Sequence, residues 1–248
     1  MNNIVKYKKK YKNSISFAGC DMVDIVICLS EHIAKNGMHV VIIDESEESV
    51  ITDGNFKKFN SNIAVYKAAD FDDNTENADC LLVYSAFNTG RYFECCENII
   101  IGTTMRHQVF TRVNEFIGKF DKPFNILYRD IVEHTPYSIY QAESMLHKYE
   151  DRILARFALK LNANDYSISL AFGYGDYPPT RFFSSEYKNI ILQLENLVFN
   201  RKPEKNSNDD ERLAKLIKVL VENGESECAQ AVVSNEEKKE SLFVKYDI

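Results

Sequence analysis

The sequence predicts an α/β protein: a doubly wound, mostly parallel sheet with helices on both faces, followed by a small helical C-terminal appendage. Three observations carry this prediction. Residues 14–46, SISFAGCDMVDIVICLSEHIAKNGMHVVIIDES, read as strand, tight turn, helix and strand. The apolar runs at 40–43, 80–86 and 98–103 are continuous rather than alternating, as strands buried on both faces of a parallel sheet must be. Segments with apolar residues at three- and four-residue steps, the signature of a helix with one buried face, lie between such runs.

In order, Ile15, Phe17 and Ala18 form a short apolar run that ends at Gly19. Val23, Val26, Leu29 and Ile33 mark a helical stripe, and Asn36-Gly37 stops it because glycine accepts the left-handed conformation past the last turn. The β-branched run 40–43 closes at Asp44, and an acidic loop with Glu45, Glu47 and Glu48 follows. Residues 49–62 are polar, with Asp53-Gly54 as a turn. Ile63, Val65 and Tyr66 predict a short strand, and 70–79 (DFDDNTENAD) an acidic surface loop. Strands are expected at 80–86 (CLLVYSA) and 98–103 (NIIIGT), then a helix at 105–120 with the stripe Val109, Val113, Phe116, Ile117 and Phe120. Pro123 precedes a strand at 124–128 that ends in Arg129-Asp130.

A helix is expected at 138–148 and a continuing one at 150–163, through Ile153, Leu154, Phe157 and Leu161. Residues 165–172 (DYSISLAF) read as a late strand, leading to a loop set by Gly173, Gly175, Pro178 and Pro179. Ser184-Ser185 cap a last helix, opened by Glu186 and buried along Ile190, Ile191, Leu194, Leu197 and Val198.

Four regions follow. Residues 1–13 form a basic arm with Lys6, Lys8, Lys9, Lys10 and Lys12, a solvated arm or lysine-protected edge; the sharper alternative is a patch for anionic lipid or nucleic acid. Residues 14–200 form the α/β domain, 201–210 (RKPEKNSNDD) a polar linker and 211–248 a helical tail. The tail's stripe, Leu213, Leu216, Ile217, Leu220 and Val221, carries no Trp or Phe and lies among mixed charges. That pattern packs on protein, so membrane contact is expected to be at most peripheral.

Composition narrows the function. Across 248 residues, 45% are apolar and 27% charged, which is globular usage. The net charge of −7 argues against a general nucleic-acid binder. No apolar run is long enough to span a bilayer, and the basic N-terminus has no apolar signal core behind it, so a cytoplasmic location is expected. The six cysteines show neither a CxxC pair nor metal-ligand spacing and the five histidines are scattered, so no metal site is expected.

The opening βαβ unit resembles the start of the ParA/MinD family of P-loop ATPases, with their deviant Walker A loop. These begin with a strand, a KGGxGKTT-type loop, a long helix and a second strand ending in IDxD. Gly37, Ile43 and Asp44 keep step with that pattern without a gap, and Gly19 falls on the loop's second glycine. The resemblance spans about residues 14–200, with its specific motif in the first 35 of these. It implies a P-loop NTPase-like fold.

The same register puts Asp21 at the next glycine, Met22 at the phosphate-binding lysine, and Val23 and Asp24 at the two threonines. A P-loop needs glycines so that amides turn toward phosphate, a lysine to neutralise it and a hydroxyl for Mg²⁺. Of these only Gly19 remains. The strand 80–86 ends in Tyr84 or Ser85 where the family has its switch aspartate, and YRD stands where relatives carry a base-contacting asparagine motif.

The resemblance therefore implies a degenerate, CpaE-like member: a catalytically inactive pseudo-ATPase without cofactor, acting as an adaptor for a protein partner in a bacterial assembly or positioning system such as pilus assembly. The positions of the degenerate nucleotide site are Gly19, Asp21, Asp24 and Asp44. The alternative is a sensor or enzyme that binds ATP or ADP with Mg²⁺ through Asp21, Asp24 and Asp44, converging where doubly wound folds bind ligands. Surface acids favoured by a helix N-terminus are the plainer reading of those residues. A Rossmann unit with Asp44 as the ribose acid keeps only Gly19 of its fingerprint. A homodimer paired through residues 20–24 and the loop after Gly90 is a third reading.

Overall fold

Seven parallel strands form one sheet in the order β3-β2-β4-β1-β5-β6-β7. They are β1 (Tyr11–Gly19), β2 (Val40–Asp44), β3 (Ile63–Lys67), β4 (Cys80–Ala86), β5 (Cys96–Thr104), β6 (Phe124–Ile131) and β7 (Ile153–Lys160). The helices are α1 (Val23–Lys35), α2 (His107–Ile117), α3 (Ile139–Leu146), α4 (Ala163–Gly173) and α5 (Ser185–Val198). This computed structural model describes residues 11–49, 51, 61–72, 78–132, 139–173, 178–201, 216, 219 and 220. The chain divides into two units, Met1–Asn200 and Arg201–Ile248. In the second, residues 216, 219 and 220 are helical, with Leu216 and Leu220 buried.

The doubly wound expectation holds. From β1 the chain moves toward one edge through α1, and from β5 toward the other through α2, so right-handed crossovers place these helices on opposite faces. Alternate strand residues divide accordingly. Phe17, Ile42, Leu82, Ile100 and Leu127 face a core closed by α1, α4 and α5. Ala18, Ile99, Ile101, Ile126 and Tyr128 face one closed by α2. There Phe93, Phe120 and Phe124 stack edge to face at 5.2 and 6.0 Å. Fully burying each such side chain is worth about 1.5–3 kcal/mol.

Helix ends follow local chemistry. Asn36 is the C-cap of α1, and Gly37 has φ of +80°. Ser184 caps α5 by accepting the Tyr187 N–H at 3.1 Å. The N-terminus of α4 is capped by Asn162, whose Oδ1 accepts from Asn164 N and Asp165 N at 2.9 and 3.2 Å.

Two expected elements are exchanged. Residues 150–163 do not continue as helix: after a 3₁₀ turn (His147–Arg152) they form β7. Burial alternates along β7, with Ile153, Ala155, Phe157 and Leu159 turned inward, which is the period of an edge strand. Residues 165–172 are not a strand but most of α4, whose inward stripe is Asp165, Ile168, Ser169 and Phe172. Exposed Tyr166 and Leu170 imitate strand alternation there. Smaller differences are that β1 begins at Tyr11 rather than 14, β5 at Cys96 rather than 98, and α2 covers His107–Ile117 rather than 105–120. Residues 1–10 of the basic arm, the Asp53-Gly54 turn, Gly175, most of the linker and the rest of the tail lie outside the described residues.

At the carboxyl end of β1 the backbone makes a close approach. Gly19 has φ of +103° and pairs with Gly102 of β5. A Cβ at Gly19 would stand 2.1 Å from the Gly102 carbonyl oxygen. Gly19→Ala should therefore lower unfolding free energy by about 2 kcal/mol or more, through combined strain and clash. Gly37→Ala, where nothing lies within 4 Å, should cost only the left-handed backbone, about 1 kcal/mol. Equal losses in urea denaturation would contradict the contrast.

Candidate functional site

In open α/β sheets, ligands bind beyond the carboxyl ends of strands where the winding reverses. Here that point lies between β1 and β4, and a crevice of about 440 Å³ opens there. Gly19 and Asp21 line it after β1, Ser46, Glu47 and Glu48 after β2, and Tyr84–Asn88 after β4. Arg112 of α2, stacked 3.9 Å over the Phe87 ring, is the one cation among the described residues that line it.

The turn from β1 into α1 consumes its own donors. The Cys20 N–H donates to the Gly102 carbonyl at 2.9 Å. The Met22 amide lies against the Tyr84 hydroxyl. The Val23 N–H donates to Asp21 Oδ1 at 3.0 Å, so an internal carboxylate occupies the helix N-terminus where an anion would otherwise bind. The Met22 side chain does not point into the crevice. It is fully buried, with its sulfur 2.5 Å from where a Gly102 Cβ would stand. Tyr84 and Ser85 are both buried, Ser85 bulging between the pairs Phe17–Tyr84 and Ala18–Ala86. A phosphate would have to displace Asp21 and would meet no lysine among the described lining residues, so these residues do not fit a Mg²⁺-nucleotide in the P-loop manner.

Asp24 turns away from the crevice into the core. Its two oxygens accept from Arg129 Nη1 and Nη2 at 2.8 and 2.7 Å. Oδ2 also accepts from Ser169 Oγ at 2.6 Å and the Tyr187 hydroxyl at 2.9 Å. Arg129 Nη1 further donates to the Asp21 carbonyl at 2.5 Å. Burial by itself would raise the Asp24 carboxyl, but the Arg129 charge and the three sets of hydrogen bonds outweigh it and hold the group below the usual carboxylate range. Burial also pushes the neighbouring Cys20 thiol up to about 12, against the pull of Arg129.

Asp44 is likewise engaged. Oδ1 accepts from Ser46 N and Ser46 Oγ at 2.9 and 2.5 Å, and Oδ2 from Ile51 N at 2.8 Å, which closes the loop after β2. The structure thus corrects the expectation that Asp21, Asp24 and Asp44 converge. Asp21 is exposed at the turn, whereas Asp24 and Asp44 are buried in separate networks. Among the described residues no group of three or more His, Cys, Asp or Glu is placed to hold a metal ion.

Glu45, read as part of an acidic loop, is buried. Its carboxylate accepts from Tyr92 N and Phe93 N at 2.8 and 2.9 Å and fits where Gly90 lacks a side chain. Burial pushes this carboxyl up, although those amides, Ser85 and Arg91 oppose the shift. It pins the β4–β5 connection to the end of β2.

Sequence reasoning missed Arg129, Ser169, Tyr187 and Glu45. One signal was available: Asp24 sits among Val23, Ile25, Val26 and Ile27, and a charge inside an apolar helix run calls for a buried partner.

No protein-family model matches the sequence, and no curated protein does. Solved structures do. The chain is similar to one from the MinC:MinD cell division protein complex of Aquifex aeolicus, with a TM-score of 0.51 and 12% identity, over 78% of this chain and 98% of that one. It is also similar to a plasmid partition protein from Borrelia burgdorferi, with a TM-score of 0.46 and 14% identity, over 75% and 98%. The fold is thus like that of the MinC:MinD chain, a parallel α/β sheet with helices on both faces. At these identities the likeness extends to the fold alone. No helix among the described residues is long and apolar enough to cross a membrane.

Removing one member of the buried pair strands the other. Asp24→Ala or Arg129→Ala should each cost about 3–5 kcal/mol, while Asp24→Leu combined with Arg129→Met should recover most of the loss. Because the Asp24 pKa is depressed on folding, its contribution is complete above the ordinary carboxylate pKa. It should disappear as pH falls through the lower folded value. Urea unfolding of the single and double variants between pH 7 and pH 2 checks both; additive losses in the double variant would contradict the pairing.

Proposed function

We propose that this protein is a ParA/MinD-like scaffold that does not hydrolyse nucleotide and acts as an adaptor for a protein partner. One observation carries the reading: the turn after β1 is filled by the chain's own groups. Its Cys20 and Val23 amides are given to Gly102 and Asp21, and Met22 is a core residue. Phosphoryl transfer depends almost entirely on positioning and charge stabilisation of the phosphates. With the lysine position buried and a carboxylate at the helix N-terminus, both are lacking. The missing acid at Tyr84 and Ser85 removes the Mg²⁺-holding element independently.

What supports the adaptor reading is a fold whose crevice is filled at the turn after β1 by the chain's own groups. The setting, an assembly or positioning system with pilus assembly as the example, rests on the resemblance of the opening motif alone. The MinD-type neighbour is itself described in complex with MinC, which makes a protein partner a natural first search.

Thermal unfolding with ATP, ADP or GTP at millimolar concentration, with and without Mg²⁺, tests the reading. A ligand at 100 times its Kd stabilises by about 2.7 kcal/mol, so the expected result is an unchanged melting temperature. A saturable rise, lost in Asp44→Ala, would overturn the adaptor reading in favour of the nucleotide sensor. Met22→Lys should not restore binding. It should destabilise the fold by about 3 kcal/mol or more, because it buries an unpaired ammonium.

A further inference from the structure

A second concavity lies away from the crevice, on the face covered by α1 and α5. It encloses about 210 Å³. Its floor is apolar: Cys28 of α1 and Tyr187 and Ile191 of α5, all buried. Its rim is basic, with His32, Arg181 and Lys188. Lys35 nearby donates to Thr180 Oγ1 at 3.1 Å, with its charge paired to Glu31 at 3.9 Å. His32 meets Glu195 at 3.1 Å, but Arg181 and Lys188 have no carboxylate partner among the described residues. Lys188 donates to the Arg181 carbonyl, and the Arg181 guanidinium rests 5.1 Å from the Phe182 ring. Phe182 and Leu192, one turn beyond Lys188, are large apolar side chains left half-exposed beside the groove.

On a chain of net charge −7, Arg181 and Lys188, without a carboxylate partner among the described residues, form a local inversion of sign beside an apolar slot. We propose that this groove docks an acidic segment of a protein partner, with one aliphatic or aromatic side chain inserted onto Tyr187 and Ile191 and flanking carboxylates meeting Arg181 and Lys188. The proposal rests on the adaptor reading and gives that adaptor its docking surface.

The dimensions select this occupant. The volume falls below the roughly 300–1,000 Å³ of small-molecule and cofactor sites, and suits a single anchoring side chain of the kind that dominates interface energetics. A nucleic-acid strand needs a track of cations along successive phosphates, and the rim offers only a cluster. A bilayer surface is met by a protruding apolar face, whereas this floor is recessed and the whole chain is acidic. Complementary charge at the rim would steer association and fix register, while the anchor supplies affinity. Tyr187 gives the groove a mechanical link, since its hydroxyl also donates to Asp24.

A phage library of random dodecapeptides, selected on the full-length chain, tests the proposal. The enriched sequences should carry Asp or Glu on both sides of a Phe, Leu or Ile. As synthetic peptides they should bind saturably and lose roughly tenfold or more in affinity to Arg181→Glu/Lys188→Glu, whose exposed substitutions should leave the circular dichroism spectrum unchanged. No enrichment, sequences without acidic residues, or affinity unaffected by the double reversal would each overturn the assignment. So would preferential binding of phosphatidylglycerol vesicles over the peptides. Failure here together with a flat nucleotide titration would remove this surface and leave the disarmed scaffold standing. A nucleotide-induced shift would remove the scaffold reading whatever the peptides do.

Discussion

The buried pair of Asp24 and Arg129 is the constraint on which the rest of the structure depends. It joins the first turn of α1 to the end of β6, and through Ser169 and Tyr187 it adds α4 and α5. Arg129 also holds the Asp21 carbonyl, so the same guanidinium fixes the turn after β1. Desolvating two charges costs several kcal/mol per ion, and bidentate geometry with further donors is what offsets it. The net stability is modest, but the specification is strong. A one-residue slip of β6 would send Arg129 to the opposite face of the sheet and strand Asp24. The left-handed Asp130, with φ of 55°, follows where the ladder between β6 and β7 shifts register.

From that pair follows the state of the crevice. In a P-loop the turn between the first strand and helix presents open amides and a free ammonium. Here it is drawn inward. Met22 fills the space above Gly102, Asp24 goes to Arg129, and Asp21 caps the helix with its carboxylate. Asp44 and Glu45, at the end of β2, are likewise spent on ordering loops. The crevice lies where such sheets bind ligands, and the side chains of Met22, Asp24, Asp44 and Glu45 around it serve packing and loop order.

Most of the frame was legible because parallel strands buried on both faces write long apolar runs, and α1 writes a clean stripe with a glycine stop. The exchange of β7 and α4 shows where legibility ends. At an edge strand and a half-exposed helix, both periods are weak, and Leu154, Tyr166 and Leu170 place apolar residues in solvent. The bulge at Ser85 explains why the register of β4 stayed open between Tyr84 and Ser85. The site was less legible than the frame. Motif spacing located Gly19, Asp21, Asp24 and Asp44 along the chain, but not the direction of their side chains. Arg129 lies 105 residues from Asp24, beyond the reach of any local pattern.

In the β1–α1 turn the Cys20 and Val23 amides are already satisfied from within the chain. Amide resonances of residues 19–24, followed in an isotope-labelled sample during titration with Mg²⁺-ATP and with inorganic pyrophosphate, address it directly. The account predicts that Cys20 and Val23 stay in place to millimolar ligand and that both amides exchange slowly with solvent. Saturable movement of these two resonances would show that phosphate replaces Gly102 and Asp21 as their acceptor, and would contradict it.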